Sequence, residues 1–219
     1  MNFLQKQATY SRLLTSLVLL FLTAPFLTHL RYGPMIVNFV FAIVILSAVW
    51  DISRTPRLLV FGILLGSPAL GSRLLRVIIG DKHMVISAIT EGTTILVLGY
   101  VAYKIISDIA TTQEVTGDTI RGAISAYLLL GISWASAYGL VELLHPGSFN
   151  LSTTAIAADQ SPNLLYYSFV VLTTLGFGDI APLTTVSRGL TWIEAVTGQL
   201  FIATTIARLV GLKLFGETK

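Results

Sequence analysis

Six apolar runs, parted by short polar or basic breaks, occupy most of the chain: Leu13 to Leu30, Met35 to Trp50, Leu58 to Leu70, Met84 to Ile106, Ile120 to Leu144 and Thr185 to Leu214. A helix at the surface of a soluble protein needs one polar face, whereas a helix in lipid needs about 20 predominantly apolar residues to cross the hydrocarbon. Most of these runs meet the second requirement and fail the first. With 11% charged side chains among 219 residues, against about 25% in ordinary soluble domains, there are too few ions to cover a water-facing surface. These features exclude a soluble enzyme, a disordered chain and a nucleic-acid binder working through a basic face. The absence of cysteine excludes disulfides, thiolate metal sites and cysteine catalysis. The fold class expected is an all-α membrane protein with six transmembrane helices.

The first run is read as a span rather than a cleaved leader, because no Ala-x-Ala site follows it and further spans continue directly. Residues 1–106 form a four-helix peripheral module, residues 107–119 a polar linker, and residues 120–219 a second module. Basic residues set the orientation. With both termini cytoplasmic, Lys6, Arg12, Arg54, Arg57, Lys104, Arg121, Arg208, Lys213 and Lys219 face inward, against Arg31, Arg73, Arg76, Lys82 and Arg188 outward. The expected setting is a multi-pass protein of the cell (inner) membrane, surrounded by lipid.

The segment between the fifth and sixth runs carries the functional signal. Residues 163–179 are too few to cross the bilayer twice and too apolar for an exposed loop, so the segment should re-enter the membrane. Ser161-Pro162 is a helix start signal and predicts about three turns from Asn163 to Thr173. The negative end of that helix dipole would point toward the middle of the membrane, where it favours a cation. Thr174-Leu175-Gly176-Phe177-Gly178 then follows as irregular backbone, which is tolerated at that depth only where it lines an aqueous path. Gly176 and Gly178 allow positive φ, so that successive carbonyls can point one way and replace the water shell of an ion.

Thr173-Thr174-Leu175-Gly176-Phe177-Gly178-Asp179 resembles the potassium-channel signature sequence, with Leu175 and Phe177 where its commonest form has valine and tyrosine. Both departures occur elsewhere in that superfamily. Pro182, Arg188 and Trp192 fall where the family's inner helix begins, and Gly198 falls where many members have a hinge glycine. The resemblance covers residues 120–214 well and the first 106 residues by helix count alone. It implies a prokaryotic six-helix channel with one pore loop per chain. It also implies potassium ligands in the carbonyls of Thr174, Leu175, Gly176 and Phe177 and the Thr174 hydroxyl, with Gly178 closing the filter. Thr173 and Asp179 would support that filter, Tyr166 and Tyr167 would form an aromatic cuff, and Gly198, Ile202 and Thr205 are gate or hinge candidates, beside Thr197 and Thr204. One loop per chain supplies a quarter of a carbonyl ring, so a homotetramer is expected. No cofactor is expected beyond permeant potassium, and a regulatory partner is left open. A weakly selective cation channel and a non-conducting membrane subunit remain as alternative readings.

The other charges are sparse. Glu91 lies inside the fourth run, with Arg73 or Arg76 as its expected partner; Glu142 and Arg188 are expected to pair at adjoining helix ends, and Glu194 has no obvious partner. His29, His83 and His145 are too dispersed for a metal motif, and no catalytic triad or phosphate loop is present. A voltage sensor needs several basic residues at every third position, since one charge is worth only about 2.3 kcal/mol per 100 mV. The fourth run has no such ladder. Currents recorded over a wide voltage range are therefore expected to change little with voltage, and a steep opening curve abolished by neutralising Arg73 and Arg76 would place a sensor in the third run.

Overall fold

The computed structural model describes residues 10–27, 33–52, 66–72, 74–75, 84–151 and 161–216. Among these the secondary structure is helical: α1 (Ser11–Leu27), α2 (Gly33–Ile52), α3 (Met84–Thr111), α4 (Gly117–Leu144), α5 (Ser161–Leu172) and α6 (Thr185–Gly216). Residues 66–72 and 74–75 are helical as well. Most of the third run, with Arg73, Arg76, Lys82, His29 and His83, lies outside the described residues, as does the expected Glu91 partnership. By length and composition α3, α4 and α6 can each cross a membrane, while α1 and α2 are apolar over the shorter stretches Ser11–Ala24 and Ile36–Ala48.

Small residues bring α3 and α4 into close contact, as is usual where lipid supplies no hydrophobic drive between helices. A Cβ at Gly99 would lie 3.6 Å from the Ser133 hydroxyl, and one at Gly139 would lie 3.6 Å from the Glu91 carboxyl carbon. Ser133 also donates to the Ile95 carbonyl at 3.4 Å. Ser107 to Thr111, placed in the linker by their polarity, continue α3; the Thr111 hydroxyl bonds back to the Ser107 carbonyl at 3.1 Å. The connection is thus residues 112–116, a length that makes α3 and α4 neighbours within one chain. Thr116 starts α4 with a capping box, exchanging bonds with Thr119.

On its other side α4 receives α1. The Tyr10 ring occupies the space left by Gly122, where a Cβ would be 2.8 Å from ring carbon Cδ2, and the Tyr10 amide donates to Asp118 at 3.0 Å. Leu13, Leu17 and Leu20 of α1 are buried in one apolar core with Val40, Val44 and Ile45 of α2 and Leu129 and Ile132 of α4. This layer reaches α5, because Phe21 of α1 stands edge-on to Phe169 at a centroid distance of 4.9 Å.

The short α5 is wedged between α4 and α6. Phe169 fills a notch at Gly131 of α4, where any Cβ would meet the ring. Ser168 donates to the Gly131 carbonyl at 2.7 Å. At the far end of α4, Asn150 and Leu183 donate to Ala181 and Ser148, closing a small bridge between Phe149 and Pro182 that leads into α6. At the opposite end Arg208 of α6 grips α3, its Nε donating to the Ile109 carbonyl and Nη2 to that of Thr112, both at 2.9 Å. Gly131→Ala is expected to displace Phe169 and to lower stability in detergent by about 1–3 kcal/mol, the usual range for overpacking. Thermal melting of Gly131→Ala alone and combined with Phe169→Leu checks this, with the smaller partner restoring most of the loss.

Candidate functional site

The C-terminus of α5 ends within the protein, so its last four carbonyls need partners other than the next helical turn. All four have them. The Phe169 carbonyl accepts from the Thr173 amide at 3.0 Å and its hydroxyl at 2.6 Å. Val170 accepts from Leu175 at 2.9 Å and from Gly176 at 3.4 Å, and Val171 from Thr174 at 2.8 Å. Leu172 accepts from the Tyr127 hydroxyl of α4 at 3.2 Å. The Leu175–Val170 and Thr174–Val171 bonds together form a Schellman motif, whose left-handed residue is ordinarily glycine. Here it is Thr174, with φ 59°. A β-branched residue in that region costs on the order of 1–2 kcal/mol, and glycine would avoid the cost but carries no hydroxyl.

Positive φ recurs at every second residue beyond this point: Thr174 at 59°, Gly176 at 60° and Gly178 at 80°. A strand with one sign of φ turns alternate carbonyls to opposite sides. Changing the sign at alternate residues turns the peptide planes over, so carbonyls can be brought to one side. Residues 173 to 179 are exposed in the single chain, including the apolar side chains of Leu175 (59%) and Phe177 (65%). A Cβ at Gly176 or Gly178 would meet nothing within 4 Å in one chain, so it is the dihedral angle that calls for glycine here.

The flanking residues hold this segment at both ends. Tyr166 donates to Asp179 at 2.8 Å across the start of the segment's return. Tyr167 turns the other way, sharing a 2.8 Å hydroxyl bond with Thr191 of α6 and packing against Tyr138 and Phe149. The two tyrosines therefore have separate tasks. Gly198 lies against the last turn of α5, and a Cβ there would collide with the Leu172 carbonyl oxygen, while α6 runs unbroken past it. Ile202 is exposed and Thr205 half-buried. Thr197 and Thr204 bond back to the Ile193 and Leu200 carbonyls within α6.

Two expectations about charge are corrected. Glu194 is fully buried with two partners: Ser168 of α5 donates to Oε1 at 2.5 Å, and Tyr138 of α4 donates to Oε2. Neither partner could be paired with it from spacing, since they lie 26 and 56 residues away. Glu142 and Arg188 do not pair. The Glu142 carboxylate accepts from the amides of Gly147 at 2.7 Å and Phe149 at 3.1 Å, and Arg188 donates from Nε to the Pro182 carbonyl at 3.2 Å. Each closes the turn at its own helix end. Gln199, which the sequence did not single out, donates from its side-chain amide to the Thr174 hydroxyl oxygen at 3.2 Å.

Long apolar helices around a short helix that ends in irregular, glycine-bearing backbone define a membrane protein. The model of an ion-channel family matches residues 93–212, more than half of the chain, and the chain belongs to that family. It is an ion channel, not an enzyme. No curated protein and no solved structure matches it. The match begins within α3, so the family's unit takes in residues 93–111 of that helix as well as α4, α5 and most of α6.

Glu194→Ala leaves the buried Tyr138 hydroxyl without an acceptor, at about 1–3 kcal/mol, while the Ser168 hydroxyl keeps the Gly131 carbonyl. The variant is expected to melt well below the parent in detergent. Glu194→Gln keeps an acceptor oxygen and should lose less, and a thermal series that also contains Tyr138→Phe separates the two contacts.

Proposed function

We propose that the protein conducts potassium ions passively through a central pore formed by four copies of the chain. In this reading α5 is the pore helix and residues 174–178 are the selectivity filter. The carbonyls of Thr174, Leu175, Gly176 and Phe177 and the Thr174 hydroxyl are the ion ligands. The observation that carries the proposal is the recurrence of positive φ at Thr174, Gly176 and Gly178, which suits a row of carbonyls directed toward one axis. The dipole of α5 adds a partial negative charge where a dehydrated cation would rest.

A homotetramer follows from the count of carbonyls, since one segment per chain closes no ring. The exposure of Leu175 and Phe177 in the single chain is consistent with that, as is the apolar exposed face of α6, which includes Val196, Leu200, Ile206 and Val210. The bias of basic residues supports both termini in the cytoplasm of a cell-membrane protein, with Asp179 and Tyr166 at the outer mouth. Leu175 and Phe177, which depart from the commonest filter, favour a weakly selective cation channel as the second reading.

Flux in liposomes under a potassium gradient, with sodium as the replacing ion, tests the proposal. Gly176→Ala and Gly178→Ala are each expected to abolish selective flux, because a side chain at positive φ costs about 1–2 kcal/mol in each of four subunits and crowds the axis. Thr174→Ala, which removes one hydroxyl and leaves the carbonyls, should retain flux with reduced selectivity. Mass measurement in detergent should give four chains. Glycine variants that assemble and still pass potassium selectively would remove this segment from the role.

A further inference from the structure

We infer that Gln199 is a positioning residue for the innermost cation ligand, acting through the hydroxyl of Thr174; the inference rests on the reading of residues 174–178 as an ion filter. Thr174 occupies a left-handed conformation that a β-branched side chain disfavours, and such residues persist only where their surroundings hold them. A backbone bond does so here, and a separate bond orients the side chain. Its amide is fixed to the Val171 carbonyl at 2.8 Å, and its hydroxyl oxygen accepts from the Gln199 amide at 3.2 Å. The first sets the backbone and the second sets the side chain.

The chemistry of the pair is directional. A threonine hydroxyl has two acceptor lone pairs and one hydrogen, and it rotates to suit its neighbours. With one lone pair taken by the Gln199 N–H, the second is held in a fixed direction and can meet a cation. Without Gln199 the hydroxyl is free to rotate, and its hydrogen can face the ion instead. Gln199 follows Gly198 directly, and the missing side chain at Gly198 lets α6 lie against the Leu172 carbonyl, which brings the Gln199 amide within reach of Thr174. Close packing at one residue thus delivers the hydrogen bond at the next. The pair joins α6 to the end of α5, so the ligand's orientation depends on where α6 lies.

The test is the potassium concentration that gives half of the maximal thermal stabilisation of the purified protein in detergent, with sodium making up constant ionic strength. Parent, Gln199→Ala, Thr174→Ala and the double variant are compared. Loss of one neutral hydrogen bond corresponds to a weakening of about three- to tenfold, so Gln199→Ala should raise the half-saturating concentration by that factor. The melting temperature in sodium alone should stay unchanged, because Gln199 is exposed and supports no core. In the double variant the shift should equal that of Thr174→Ala alone, since both changes remove the same oriented hydroxyl. Additive shifts, an unshifted Gln199→Ala, a lowered melting temperature in sodium alone, or a parent without any potassium effect would each overturn the inference. Liposome flux on the same proteins separates the two claims: a parent that shows this coupling yet passes no cation removes conduction and leaves the Gln199–Thr174 relation standing.

Discussion

A helix that stops inside an apolar bundle has to place four carbonyl oxygens, and the rest of this structure is arranged around how α5 does so. In hydrocarbon each unsatisfied carbonyl costs several kcal/mol, so a short helix with a loose end could not persist there. The solution uses the chain immediately downstream. Residues 173 to 176 fold back to cap the carbonyls of Phe169, Val170 and Val171, and Tyr127 of α4 takes that of Leu172. The same turn-back that satisfies the helix puts Thr174 at positive φ and starts the alternation that Gly176 and Gly178 continue. Capping and the irregular segment are therefore one feature. Changing the cap would change the dihedral pattern beyond it.

The cap has value only if α5 itself is held, and polar groups do that as well as apolar ones. Ser168 is the centre of the arrangement, its single hydroxyl hydrogen shared between the Gly131 carbonyl and Glu194. Through Tyr138 and Glu194 it ties α4, α5 and α6 at one depth. Lipid offers no gain from hiding one apolar face against another, so directional bonds and small residues supply the specificity that a water-driven core would otherwise give. Gly131 and Gly198 belong to the same logic. Each removes a side chain so that α5 can approach a neighbour, α4 at Gly131 and α6 at Gly198.

What was legible in the sequence was local. The ends of α4 and α6, the Ser161-Pro162 start of α5, and the need for glycine at 176 and 178 all follow from residues adjacent in the chain, and each has its counterpart among the observed helices and dihedrals. The link from Tyr166 to Asp179 was also within reach, thirteen residues apart. Thr174 was missed as a helix cap because the Schellman signal is glycine, and a threonine there carries no sign of it. Glu194, Gln199 and Arg208 were missed for a different reason. Their partners lie 25 to 99 residues away on other helices, and no periodicity within one helix reports which residue of another will face it. Polarity at Ser107 and Asp108 suggests a break, yet α3 continues through both to Thr111.

The two ends of α6 are held in different ways, and that asymmetry bears on how the helix can move. Its start is fixed by neutral hydroxyls: that of Ser187 donates to the Ser148 carbonyl at 2.9 Å, and Thr184 and Ser187 exchange amide-to-hydroxyl bonds. Its later half carries a single charged grip, Arg208 on the carbonyls of Ile109 and Thr112, where α3 ends and turns toward α4. Carbonyls at the end of a helix bear the negative part of its dipole, so a guanidinium there is favoured twice, by charge and by two hydrogen bonds. Between these ends Glu194 contacts α5 and Gln199 contacts Thr174 just beyond it. A displacement of the later half of α6 therefore either carries the end of α3 with it or breaks both Arg208 bonds, while the first half stays tied to the turn at Ser148. α3 is in this way joined to α6 by a specific polar contact, and to α4 by packing and a connection of only a few residues.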